Sequence, residues 1–138
     1  MDVEVEVARE TVWKVSHAAD HHVSETIDAA TYPFAWRVAV LVRAWDAFTG
    51  HGETTWRAAA HTLPTERGGN VRIAPLEGTR RVTVDADSVA RVTEIAAAER
   101  PGPRAEERSF EEALRVVLDA WNGYYGRQGA GWVSDPGA

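Results

Sequence analysis

The chain has 138 residues and no cysteine, which excludes disulfides, thiolate metal sites and cysteine nucleophiles together. Apolar residues at 44% and charged residues at 26% are those of an ordinary globular domain, and folding at this length removes roughly two-thirds of the unfolded chain's surface from water. The formal charge of −6 disfavours a general affinity for phosphate polymers, and 14 Arg against one Lys, among abundant Ala, Val and Gly, reads as genome composition rather than as a nucleic-acid footprint.

The opening MDVEVEVARE lacks the basic-then-apolar order of a signal peptide, and DVEVEV alternates valine with acid, the period of a short half-buried strand. Val12, Val15, Ala19, Val23, Ile27 and Ala30 step by three and four, so one helix or two consecutive ones are expected over about 9–31. TYPF (31–34) marks a break, because proline lacks the donor a helix interior needs but is tolerated in a first turn. The stretch FAWRVAVLVRAWDAF (34–48) is apolar nearly all round and predicts a helix with neighbours on several sides. Arg37, Arg43 and Asp46 interrupt it, and it is too short to cross a bilayer, so a membrane-free cytoplasmic protein is expected.

ETTWRAAAHTL (53–63) reads as a short helix with Trp56, Ala59, Ala60 and Leu63 inward. LPTERGGN (63–70) is a loop by composition, and VRIAPLEGTRRVTV (71–84) reads as a β-hairpin turning at LEGTR. Asp85 or Asp87 caps the next helix, which RPGP (100–103) stops. Ser109 and Glu112 form an S-x-x-E capping box, followed by a helix with Phe110, Leu114, Val117, Leu118 and Trp121 inward and Glu111 four residues from Arg115 outside. The glycine-rich residues 123–138 read as a flexible tail, leaving 1–122 as a single globular domain. The fold class expected is α+β, mainly helical, with about five helices, one hairpin near 71–84 and a short N-terminal strand.

Three groups of residues carry candidate chemistry. His17 and His21 in SHAADHH (16–22) stand four apart on a helix, the spacing with which two imidazoles reach one metal ion, and Asp20, Glu25, His51 or His61 could add a ligand. Asp28, Asp46 and Asp119 lie in or beside apolar helical surroundings where burial raises a carboxyl pKa, although Asp46 is three from Arg43 and Asp119 four from Arg115. There is no G-x-S-x-G and no G-x-x-x-x-G-K-[ST], so no catalytic residue and no cofactor is assigned, and a non-enzymatic role is expected. Of six tryptophans, Trp13 and Trp132 fit no inward face; with Tyr124 and Tyr125 they are the expected anchors for a protein partner.

The reading adopted from sequence is a small acidic binding or regulatory protein acting through protein contacts, with a homodimer among the partners considered. The alternative is a winged-helix DNA-binding regulator. Its helix 53–63 would present Thr54, Thr55, Arg57 and His61 to the major groove, and a wing would bring Arg72, Arg80 and Arg81 to phosphate. The charge of residues 49–84, +2 in an acidic chain, is the local support for it. A histidine metal site at His17 and His21 is the third reading.

Overall fold

The computed structural model describes residues 1–23, 33–50, 54–64 and 68–134. The alternating N-terminus forms strand β1 (Asp2–Ala8), which pairs antiparallel with a second seven-residue strand, Thr79–Asp85. Val3 faces Val84 and Val5 faces Val82, so the valines of both strands share the face turned to the helices, while Glu4 and Glu6 share the outer face with Thr83 and Arg81.

This pairing replaces the expected hairpin. Strand β2 (Val71–Ile73) does form, but it pairs in parallel with β4 (Trp132–Ser134), and Thr79–Asp85, here β3, belongs to the other ribbon. The physical reason is ladder length. β2 could offer β3 three residues, whereas β1 offers it seven with matched valines, and Arg9 N extends the ladder onto Gly78 O at 3.1 Å. Gly78 turns the chain into β3 at φ +88°, a conformation that favours glycine.

Among the described residues, five α-helices surround a core seated on the last of them. Helix α1 (Arg9–His22) buries Thr11, Val15, Ala18 and Ala19. Its expected continuation through Ile27 and Ala30 lies outside the described residues. Helix α2 (Phe34–Thr49) starts after Pro33 as expected but buries only Val38 and Leu41 fully; Phe34, Trp45 and Phe48 are half-buried against the core. Its apolar circumference is thus a helix at the edge of the core rather than at its centre.

Helix α3 (Trp56–Ala60), capped by Thr55, is little more than one α-turn and continues through His61, Thr62 and Leu63 by backbone bonds three residues apart. Helix α4 (Ala86–Glu99) is capped by Asp85, which accepts from Ser88 N at 2.8 Å. Helix α5 (Phe110–Tyr125) is capped by Ser109, which accepts from Glu112 N at 3.1 Å. It occupies the centre that the sequence reading gave to α2: Phe110, Ala113, Leu114, Val116, Val117, Leu118, Ala120 and Trp121 are buried among α1, α3 and α4. No helix among the described residues is long and apolar enough to cross a membrane.

The segment after Trp121 is not irregular. Helix α5 runs to Tyr125, a 3-10 turn covers Gly126–Gln128, and the chain folds back into β4, so that only 135–138 of the expected tail lie outside the described residues. Two asparagines fasten this return. Asn122 accepts from Trp132 N at 2.9 Å and donates to Trp132 O at 3.1 Å, while Asn70 accepts from Gly131 N and donates to Gly126 O, both at 2.9 Å. A Cβ on Gly131 would collide with the Asn122 amide. The glycines that suggest looseness instead permit backbone to approach backbone and side chain at van der Waals limits.

Candidate functional site

Helix α1 carries Trp13 in its first half and His17, Asp20, His21 and His22 in its second, and the return of the chain through β4 brings a second set of rings against them. Trp13 stacks on His17 with ring centres 5.2 Å apart and planes 7° from parallel. Trp121 lies sandwiched between Trp132, at 5.5 Å and 13°, and Tyr125, at 4.7 Å and 28°. His17 meets both Trp121 and Trp132 edge-on, and His21 and His22 meet Trp121 and Tyr125 the same way or tilted. The residues expected separately as metal ligands and as partner anchors therefore form one aromatic assembly.

The hydrogen bonds settle how two of the imidazoles are used. His17 Nε2 lies 3.0 Å from Ala130 O, which can only accept, so this nitrogen carries the proton. His22 Nε2 lies 2.9 Å from Trp121 Nε1, which can only donate, so here the ring nitrogen is the acceptor and the ring is neutral. Burial holds His22 down at about 4 from its ordinary 6.5, with repulsion from His21 as the lesser cause. Burial also lowers His21, helped by His17.

Between α1 and the glycine turn lies a cleft of about 300 Å³. His17, Asp20 and His21 form one wall, and Gly69, Gly129, Ala130 and Gly131 form the other, so side chains on one side face bare backbone on the other. Gly129 must be glycine here, because its φ is +81° and a Cβ would strike Gly68 O. Asp20 and His21 are exposed at the rim. The cleft can accept hydrogen bonds through imidazole nitrogen and backbone carbonyl, and can hold a cationic group at Asp20.

His17 and His21 do line one cleft, but the described residues gather no three His, Asp or Glu side chains around a point that could hold a metal. His51 and Glu25 lie outside the described residues, and His61 is exposed beyond α3. Trp132 is 4% exposed, so it covers Trp121 instead of standing free as an anchor. Trp13, Tyr124 and Tyr125 are half-buried, and Lys14 Nζ sits 5.6 Å from the Trp132 ring centre.

The residues of the DNA-binding alternative are dispersed. Thr54, Arg57 and His61 are exposed around α3, but Thr55 is committed to the cap, accepting from Ala58 N at 3.2 Å. Arg72 is exposed on β2 while Arg80 and Arg81 are exposed on β3, in different ribbons, so the three do not share one hairpin. Of the candidate acids, Asp46 and Asp119 are exposed, Asp46 pairs with Arg91 rather than with Arg43, and Asp28 lies outside the described residues.

Two glutamates tie distant elements together: sequence reasoning passed over Glu99 and read Glu111 only as the outward partner of Arg115, a pair that does form. Glu99 is 3% exposed and accepts from Trp45 Nε1 at 2.9 Å, Trp56 N at 2.8 Å and Arg57 N at 3.0 Å. It supplies the first amides of α3 with an acceptor and ties α2, α3 and α4 together. Glu111 does the same for α1, whose N-cap Ala8 has no capping side chain: it accepts from Ala8 N at 3.3 Å and Thr11 Oγ1 at 2.9 Å while Arg115 Nε donates to it at 2.7 Å. No spacing rule finds such partners, which lie 42 to 54 residues away for Glu99 and 100 to 103 for Glu111 on the α1 side. Comparison of the chain with family models, with curated proteins and with solved structures finds no match.

Proposed function

We propose that the protein is a small binding protein that takes a basic segment of a protein partner at the cleft between α1 and the Gly129–Gly131 turn. The observation that supports this most directly is the cleft itself, where exposed Asp20 and His21 face backbone left bare by glycine. A cationic side chain of the partner would meet Asp20, its backbone could approach the glycine wall closely, and half-buried Trp13 stands beside His17 as an apolar contact. The overall charge of −6 favours encounter with a basic partner over an acidic one.

Because Trp13 and Trp132 ring His17, occupancy of the cleft should be visible in tryptophan emission. Titration with arginine-rich and glutamate-rich peptides should give saturable binding for the first alone, weakened at least tenfold by Asp20→Arg and unchanged by Arg57→Ala. Binding that ignores Asp20→Arg would remove this reading. Retention of duplex DNA lost on Arg57→Ala would support the winged-helix alternative instead, and zinc binding lost on His21→Ala would support the metal site.

A further inference from the structure

The β1–β3 ribbon has two long edges, and the hydrogen bonds flanking its ladder show which backbone groups point to each. Ala86 N donates to Met1 O at 2.9 Å at one end, and Arg9 N donates to Gly78 O at 3.1 Å at the other. With Val3 opposite Val84 and Val5 opposite Val82 between them, antiparallel alternation assigns the interstrand bonds to the odd residues of β1 and the even residues of β3. Ala8 agrees with this parity, since its outward amide reaches Glu111. The N–H and C=O of Arg81 and Thr83 therefore point away from β1, and among the described residues no hydrogen bond reaches them. Their side chains are exposed, while Val82 and Val84 between and beside them are buried.

We propose that this outer edge of β3 is a self-association surface, which pairs antiparallel with β3 of a second copy about a twofold axis at Thr83 to give a four-stranded sheet. Charge selects this pairing over the others the ribbon could make. Joining β1 to β1 of a second copy sets Asp2, Glu4 and Glu6 against one another. Joining β1 to β3 of a second copy matches charge but leaves an edge free at each end, so it propagates instead of closing.

With the axis at Thr83, Arg81 faces Asp85 of the second copy, and symmetry repeats that contact. Val82 then faces Val84 of the second copy on the helix-covered side, continuing the apolar face that Val3 and Val5 begin. Asp85 is held in place for the contact, since its carboxylate accepts from both Ser88 N, at 2.8 Å, and Ser88 Oγ, at 2.9 Å.

Sedimentation of the full chain over a concentration series tests the proposal, with a mass approaching twice 15.1 kDa expected at the upper end. Arg81→Asp should weaken association by about tenfold or more, since it sets acid against acid twice. Thr83→Pro should do the same by removing an amide that points only outward. The chain has no cysteine of its own, so Thr83→Cys gives a clean crosslinking probe. Hydrogen-bonded antiparallel partners lie about 5.5 Å apart at Cα, within reach of a disulfide, so mild oxidation should yield a covalent dimer from Thr83→Cys and none from Glu4→Cys on the opposite edge. The proposal is overturned by a monomer at every concentration, by a dimer that survives both Arg81→Asp and Thr83→Pro, or by Glu4→Cys crosslinking as fast as Thr83→Cys. These readouts do not involve Asp20 or the cleft, so they stand apart from the peptide-binding test.

Discussion

Glu99 and His22 perform one task with opposite electrostatics. Each gives a tryptophan indole N–H from another helix its acceptor, Trp45 in the first case and Trp121 in the second. The glutamate collects three donors at 3% exposure, because a carboxylate withdrawn from water must recover its lost hydration from N–H groups nearby. The histidine needs a single donor, because burial keeps it neutral and so leaves Nε2 free to accept. A buried acceptor can thus be a charge with many partners or a neutral ring with one, and the two differ in what mutation removes.

Glu99→Ala should have the largest effect. It strands two amides of α3 and the Trp45 indole, and a loss of about 3–5 kcal/mol is expected in urea unfolding, with Glu99→Gln falling between it and wild type. A loss below 1 kcal/mol would show that water replaces the carboxylate and that Glu99 is not the interior tie described. Leu118→Ala calibrates this value with a cavity that involves no polar group. It should cost about 2–4 kcal/mol, as Leu118 is 1% exposed at the centre of α5.

The histidine side of the comparison is read by pH. Above pH 6.5 His22 is neutral in both folded and unfolded chains and adds no pH dependence. Between 6.5 and about 4 the unfolded chain takes up a proton that the folded chain refuses, so stability falls as pH falls through that window. Allowing for solvent screening of a ring that is only half-buried, the loss is on the order of 1–2 kcal/mol. His22→Gln keeps an acceptor for Trp121 without a titrating ring and should flatten the profile across those pH values. An unchanged slope in that variant would assign the acid sensitivity to other groups, His21 first among them.

The smallest effect is expected from Glu111→Ala, at about 1 kcal/mol, because its side chain is 19% exposed against 3% for the Glu99 residue, so that water can reach the amide it leaves. Should Glu111→Ala match Glu99→Ala, burial would not be what separates the two glutamates. Their sequence separation from the helix each one caps would then be the better variable to pursue.

Much of the local structure was legible because its causes lie within a few residues. The alternation of DVEVEV yielded β1, the S-x-x-E box yielded the start of α5, and Asp85 capped α4. The hairpin was misread because Val71–Ile73 and Val82–Val84 each have strand character, and period alone does not say which strand is whose neighbour. The tail was misread because five glycines among residues 123–138 look like freedom, whereas Gly129 and Gly131 are places where another chain segment comes too close for a Cβ. Of the candidate site, the pairing of His17 with His21 on one helix face was visible. Its enclosure by Trp132 and the Gly129–Gly131 turn was not, since that wall arrives from more than a hundred residues away.

What the sequence determined by itself is the alternation of β1, the local caps of α4 and α5 and the face that α5 buries, because those depend on residues two to four apart. What the tertiary structure decided is which strands pair, where the acceptors of the buried indoles come from, and that the last turn of the chain closes over Trp121. The β1–β3 pairing rests on a seven-residue ladder with matched valines, and the closing turn rests on stacking Trp121 against Trp132 while Asn122 takes up Trp132 N and O; both join residues that are far apart in the chain.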